Sequence, residues 1–128
     1  MTDTYNQALL STSQDFVKQV RSSYKGKVTR NVNTLKTALV TKPGTTNQYD
    51  IDSINARDAQ RVAKDLTEAF VALENLNTRF MIVRARGADE NAEKDLCEAD
   101  EEYITEVDTK YQEGMRMYNA YLEQCFMV

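Results

Sequence analysis

The chain has no histidine and no tryptophan, and among its 128 residues there are one proline, four glycines and two cysteines. Losing histidine removes the commonest general base, the commonest metal ligand and the side chain that titrates near neutral pH. Neither a Ser-His nor a Cys-His nucleophile pair can form, nor a zinc site containing histidine. The scarcity of proline and glycine argues against an all-β chain, which spends such residues on its turns. With 41% hydrophobic and 28% charged residues, the composition is that of a globular domain rather than a disordered tail.

The cysteines, Cys97 and Cys125, fall in one segment of helical pattern. There they would lie roughly 42 Å apart at about 1.5 Å rise per residue, far beyond disulfide reach. They read either as small apolar thiols of a reduced, intracellular protein or, for Cys125, as a thiol that pairs between chains. Met1 to Leu10 shows neither a basic stretch nor an apolar stretch of the kind a secretory leader needs. No apolar run reaches the length of a membrane span. An intracellular protein without membrane insertion is therefore expected.

Helical periodicity fills most of the chain. From Tyr5 to Leu39 the apolar residues Tyr5, Leu9, Phe16, Val20, Tyr24, Val28, Val32, Leu35 and Leu39 recur mostly every fourth position. Gly26 interrupts this stripe without shifting its phase, so one continuous helix is expected. Thr41 to Asp50 holds the only proline, Pro43, next to Gly44 and reads as a loop. Asp52 or Ser53 can cap a second helix. In it Val62, Leu66, Ala69, Leu73, Leu76, Phe80 and Val83 alternate steps of four and three. Such a heptad seam fits a bundle core or, alternatively, an intermolecular coiled coil. Gly87 and Asp89 suit a helix end and a new N-cap. A third stripe follows at Ala92, Leu96, Ala99, Tyr103, Val107, Tyr111, Tyr118, Leu122 and Phe126, with Gly114 marking a close helix approach. Tyr118 and Tyr121 are expected on different faces, leaving one exposed, as are Ile104, Met117 and Met127. The fold class is all-α: an elongated up-down-up bundle of three long amphipathic helices, about 4–41, 52–86 and 89–126, in one domain.

Charge is distributed unevenly along this pattern. Residues 1–45 hold seven bases against two acids, residues 46–87 six of each, and residues 88–128 three bases against twelve acids. The net charges of these thirds are therefore +5, zero and −9. In an up-down-up bundle the basic first helix runs parallel to the acidic third, which favours pairing within a chain or steers association between chains. The candidate contact residues are Arg21, Lys25 and Arg30 on the basic side and Glu98, Glu102 and Glu106 on the acidic side. Tyr121, Cys125 and Phe126 join them near the C-terminal end. The basic residues, with Tyr24 nearby, also offer a loose stripe for phosphate, so an adaptor binding nucleic acid or another anionic partner is the alternative. The acid-rich stretch Asp89–Glu102 lacks the glycine and alternating oxygen ligands of an EF-hand loop. It also lacks the Glu-x-x-His element of di-iron bundles. No metal, cofactor or catalytic residue is assigned.

Three stretches taken together carry a resemblance: Lys25-Gly-Lys-Val-Thr-Arg30 with Asn33 and Leu35, the helix bearing Leu66, Phe70 and Leu73, and the spaced tyrosines from Tyr103 to Tyr121. Their order resembles the helical region near the N-terminus of BEL/Pao-type retroelement polyproteins and covers roughly residues 20–125. The resemblance implies a Gag-like structural ancestry and a role in assembly. The chain has no Cys-x-x-Cys-His zinc knuckle, and no catalytic residue is carried over. The expectation is a non-enzymatic, self-associating structural subunit, a homo-oligomer.

Overall fold

Ser11, Thr12 and Ser13 end one helix and begin another. In the computed structural model the first segment is two helices, α1 (Thr2–Leu10) and α2 (Gln14–Ala38), followed by α3 (Ala56–Ala85) and α4 (Glu90–Met127). Residues 2–39, 44, 56–86 and 90–127 are described, with side chains over 4–39, 44, 57–86 and 98–125. Among the described residues the chain is helical apart from short breaks and helix ends, and has no strand.

The division of the first segment corrects the expectation of one helix and of a three-helix count. Ser13 caps α2, its Oγ accepting the Phe16 N–H at 3.3 Å, while its own N–H donates to Ser11 Oγ at 3.0 Å. Asp15 in the first turn of α2 adds a charge favourable to the helix dipole. Three consecutive hydroxyl side chains offer the backbone partners that compete with a helical ladder. Gly26 stays inside α2, since one glycine costs only about 1 kcal/mol relative to alanine. The caps expected at Asp52, Ser53, Gly87 and Asp89 lie outside the described residues. Gly44 takes φ 80, a left-handed backbone that glycine accepts without a steric penalty.

Cross-helix contacts fix the helix directions. Arg21 and Lys36 of α2 meet Asp100 and Glu113 of α4, so these two helices run parallel. Thr67, Asn77 and Arg84 of α3 meet Tyr111, Asp100 and again Asp100 of α4, so α3 runs opposite to both. Then α1 folds back along α2: Tyr5 packs on Tyr24 at 5.6 Å between ring centres, and Ala8 shares a buried cluster with Val20 and Leu76.

The α3 seam faces inward as its heptad spacing requires. Leu66, Leu73 and Leu76 are fully buried, and Ala69, Phe80 and Val83 nearly so. Val28, Val32, Leu35 and Leu39 meet this seam from α2, and Val107, Tyr118 and Tyr121 from α4. Gly114 is buried at the crossing, where an added Cβ would stand 3.3 Å from Leu66 Cδ2 and 3.4 Å from Val32 Cγ2. The expected close approach is therefore present and involves both other long helices.

Three parts of the α4 reading are corrected. Ala99 is exposed and Asp100 is buried in its place, because Asp100, Ile104, Val107, Tyr111, Gly114, Tyr118 and Tyr121 keep the alternating step of four and three that Ala99 breaks. Tyr118 and Tyr121 are both buried, since residues three apart share a helix face. Ile104 and Met117, expected to be exposed, pack partly buried against the core; the side chain of Met127 lies outside those described.

Candidate functional site

A buried polar node joins the three long helices. Arg21 Nη1 donates to Asn77 Oδ1 at 2.9 Å and to Asp100 Oδ1 at 3.1 Å. Arg84 Nη2 donates to the other Asp100 oxygen. Asn77 Nδ2 donates to the Asp100 carbonyl oxygen at 3.2 Å. The Arg21 guanidinium is also sandwiched between the Phe80 and Tyr103 rings, 4.2 and 4.1 Å from their centres. Arg21, Asn77 and Asp100 are all buried. Burial raises the Tyr103 hydroxyl pKa, a rise that the adjacent Arg21 charge partly offsets. These hydrogen bonds link α2, α3 and α4 at one level of the bundle, while Arg21 Nε is buried and, among the described residues, has no hydrogen-bond partner.

Arg21, expected as an exposed basic contact, is thus an internal residue, and so is Tyr121, which is fully buried. Burial pushes the Tyr121 hydroxyl up to about 12, with Cys125 beside it contributing. Cys125 itself is half-buried against the core, and the Phe126 side chain lies outside those described. Lys25 is half-buried with its Nζ 4.8 Å from the Tyr103 ring centre, whereas Arg30 is exposed.

The acidic contacts lie together on the outer side of α4. Glu98, Glu102 and Glu106, one turn apart, are exposed beside Glu101 and Thr105. Among the described residues none of these four glutamates makes an ion pair. Among the described residues the α2–α4 ion pairs are Arg21–Asp100 and the exposed Lys36–Glu113. Complementary charge between α2 and α4 therefore operates within the chain, but these pairs do not include the ridge glutamates.

A groove between α2 and α3 is half filled. At one end α1 occupies it; beyond Tyr24 it opens into a cleft of about 490 Å³ floored by Ala69 and Ala72. Lys27 and Arg30 form one wall, Asp65 and Glu68 the other. The basic stripe considered for phosphate thus shares its cleft with two carboxylates, which repel a phosphate backbone.

No family model, no curated protein and no solved structure matches this chain. No described helix is long and apolar enough to cross a membrane.

Proposed function

We propose that the protein is a non-enzymatic structural subunit that self-associates through its helical faces and complementary charge. The observation that carries this reading is the α4 ridge of Glu98, Glu101, Glu102 and Glu106, exposed and, among the described residues, in no ion pair. Lys18 and Arg30 of α2 are exposed and supply the opposite sign for a second copy. Such patches steer two molecules together and set their register more than they add affinity. Exposed Val71 and Ile82 on α3 add apolar surface to the outside of the molecule. The resemblance of the three stretches to a Gag-like region supports an assembly role.

Light scattering after size exclusion, at low and high salt, tests the proposal. Oligomers are expected at low salt and should dissociate as salt screens the ridge. The variant carrying Glu98→Lys, Glu102→Lys and Glu106→Lys should show no such salt-dependent association. A wild-type monomer that ignores both salt and concentration overturns the reading.

A further inference from the structure

The apolar stripe of α1 stays in phase with that of α2 although the chain turns back between them. Leu9 and Phe16 are seven positions apart, two helical turns, so Tyr5 and Leu9 carry the same azimuth as Phe16, Val20 and Tyr24. A fold-back needs no such agreement. One straight helix running through residues 11–13 would bring both sets of side chains onto a single face.

From this we infer that α1 is an exchangeable arm, which leaves its own α2–α3 groove and fills the same groove of a second copy. The hinge is short and polar, with Thr12 and Ser13 exposed. Its bent form is held by the Ser13 cap and by Arg79 of α3, whose Nε and Nη2 donate to the Ser11 carbonyl oxygen at 3.0 and 2.7 Å. In a straight helix that carbonyl would instead accept the Asp15 N–H, the ordinary ladder partner. Among the described residues α1 is seated by Ala8 against Val20 and Leu76, by Leu9 packed on the same cluster, by Tyr5 on Tyr24, and by the Asn75 amide donating to Tyr5 Oη at 3.0 Å. An arm from another copy reproduces each of them. Two straightened α1–α2 helices lying antiparallel about a two-fold axis near the hinge place each α1 on the partner's Phe16–Val20–Tyr24 face, and the in-phase stripe makes that packing continuous. Exchange of an identical element is a low-barrier route to a dimer, favoured by a short hinge.

The exchange rests on the self-association proposed above but not on the charged ridge, so its test uses the full chain carrying the three ridge reversals, Glu98→Lys, Glu102→Lys and Glu106→Lys. Into this background go Ser11→Ala, Thr12→Glu and Ser13→Ala, which favour a straight helix. A dimer of twice the monomer mass, unaffected by salt, is expected. Mixing differently isotope-labelled copies should give intermolecular contacts between the Tyr5 and Tyr24 rings. Arg79→Gln, with the hinge sequence intact, should raise the dimer fraction after refolding at high concentration. A Gly-Ser insertion after Thr12 should abolish it. A helical hinge variant that stays monomeric, or a dimer whose Tyr5–Tyr24 contact lies within one copy, overturns the exchange and leaves the ridge reading intact. Should the hinge variant not fold, the Arg79→Gln protein decides by the same intermolecular contact.

Discussion

Arg21 and Asp100, separated by 79 positions in sequence, meet at 3.1 Å inside the bundle, where both side chains are almost completely withdrawn from solvent. Asp100 serves Arg84 as well, and the carboxylate is the one anion the two guanidiniums share among the described contacts. Taking two charges out of water is offset only if each remains paired and hydrogen-bonded. The node therefore acts as a register lock: a slip of one helix turn would strand a buried guanidinium.

Asp100→Ala should consequently cost about 3–5 kcal/mol, because Arg21 is left charged and unpaired in the core. A variant that removes both charges, Arg21→Met with Asp100→Leu, should lose less than the single substitution. Chemical denaturation of the three proteins measures this. A single variant within about 1 kcal/mol of wild type, the range of an exposed pair, would show that the node contributes no more than a surface salt bridge.

Gly114→Leu should destabilise the bundle by about 1–3 kcal/mol through overpacking. The side chain would enter the space held by Leu66 Cδ2 and Val32 Cγ2, both within 3.4 Å of the position of an ideal Cβ. Gly26→Leu is the control, because only the Arg30 Nη1 tip stands near that Cβ and a flexible side chain can move aside. Thermal unfolding of the pair should show the loss at Gly114 alone.

Phe70→Ala should cost about 3–5 kcal/mol, whereas Tyr111→Phe should cost about 1 kcal/mol, the worth of one hydrogen bond. The two rings stack at 4.4 Å with 6° between planes, joining α3 to α4, and the Tyr111 hydroxyl lies 3.2 Å from Thr67 Oγ1. Phenylalanine at 111 keeps the stack and loses only that bond. Equal losses in the two variants would place the energy in the hydroxyl rather than in the rings.

The long-range packing of Leu66, Leu73, Leu76 and Phe80 was legible in the sequence because a seam of alternating fours and threes admits one inward face. Gly114 was legible for a related reason: a residue without a side chain at a seam position implies a neighbour close by. Two features escaped. Asp100 sits in a run of acids whose composition suggests a solvated face, and only its phase with Val107, Gly114 and Tyr121 distinguishes it from Glu98, Glu101 and Glu102. The turn at Ser11–Ser13 leaves the apolar phase unbroken, so periodicity alone does not mark it, whereas Gly26 stays inside α2. The hydroxyl run was the available signal, since its power to cap is a local property that stripe analysis does not register. The ridge glutamates were legible as a cluster; which of them pair with α2 depends on which bases that helix turns inward, as with Arg21, and that requires the fold.

Tyr121 makes stability depend on alkaline pH. Its hydroxyl is raised from 10.0 to about 12 by burial first and by the neighbouring Cys125 second. A raised folded-state value means that the fold favours the protonated phenol, so the unfolded chain releases this proton at lower pH than the native one. The contribution is complete below pH 10.0, the unfolded value, and fades as pH climbs through about 12. Tyr118 and Tyr103 are raised as well, by the same desolvation, and act in the same direction. Denaturant midpoints measured across the alkaline range should therefore fall more steeply for wild type than for Tyr121→Phe, which retains the ring and has no proton to lose. The phenolate absorbance of Tyr121, taken as the difference between the two proteins, should stay absent near pH 10.0 while the protein is folded and appear only toward about 12 or with unfolding. A Tyr121→Phe midpoint that falls in parallel with wild type, or a phenolate signal that develops near pH 10.0 while the helices remain intact, would mean that this hydroxyl reaches water in the native state.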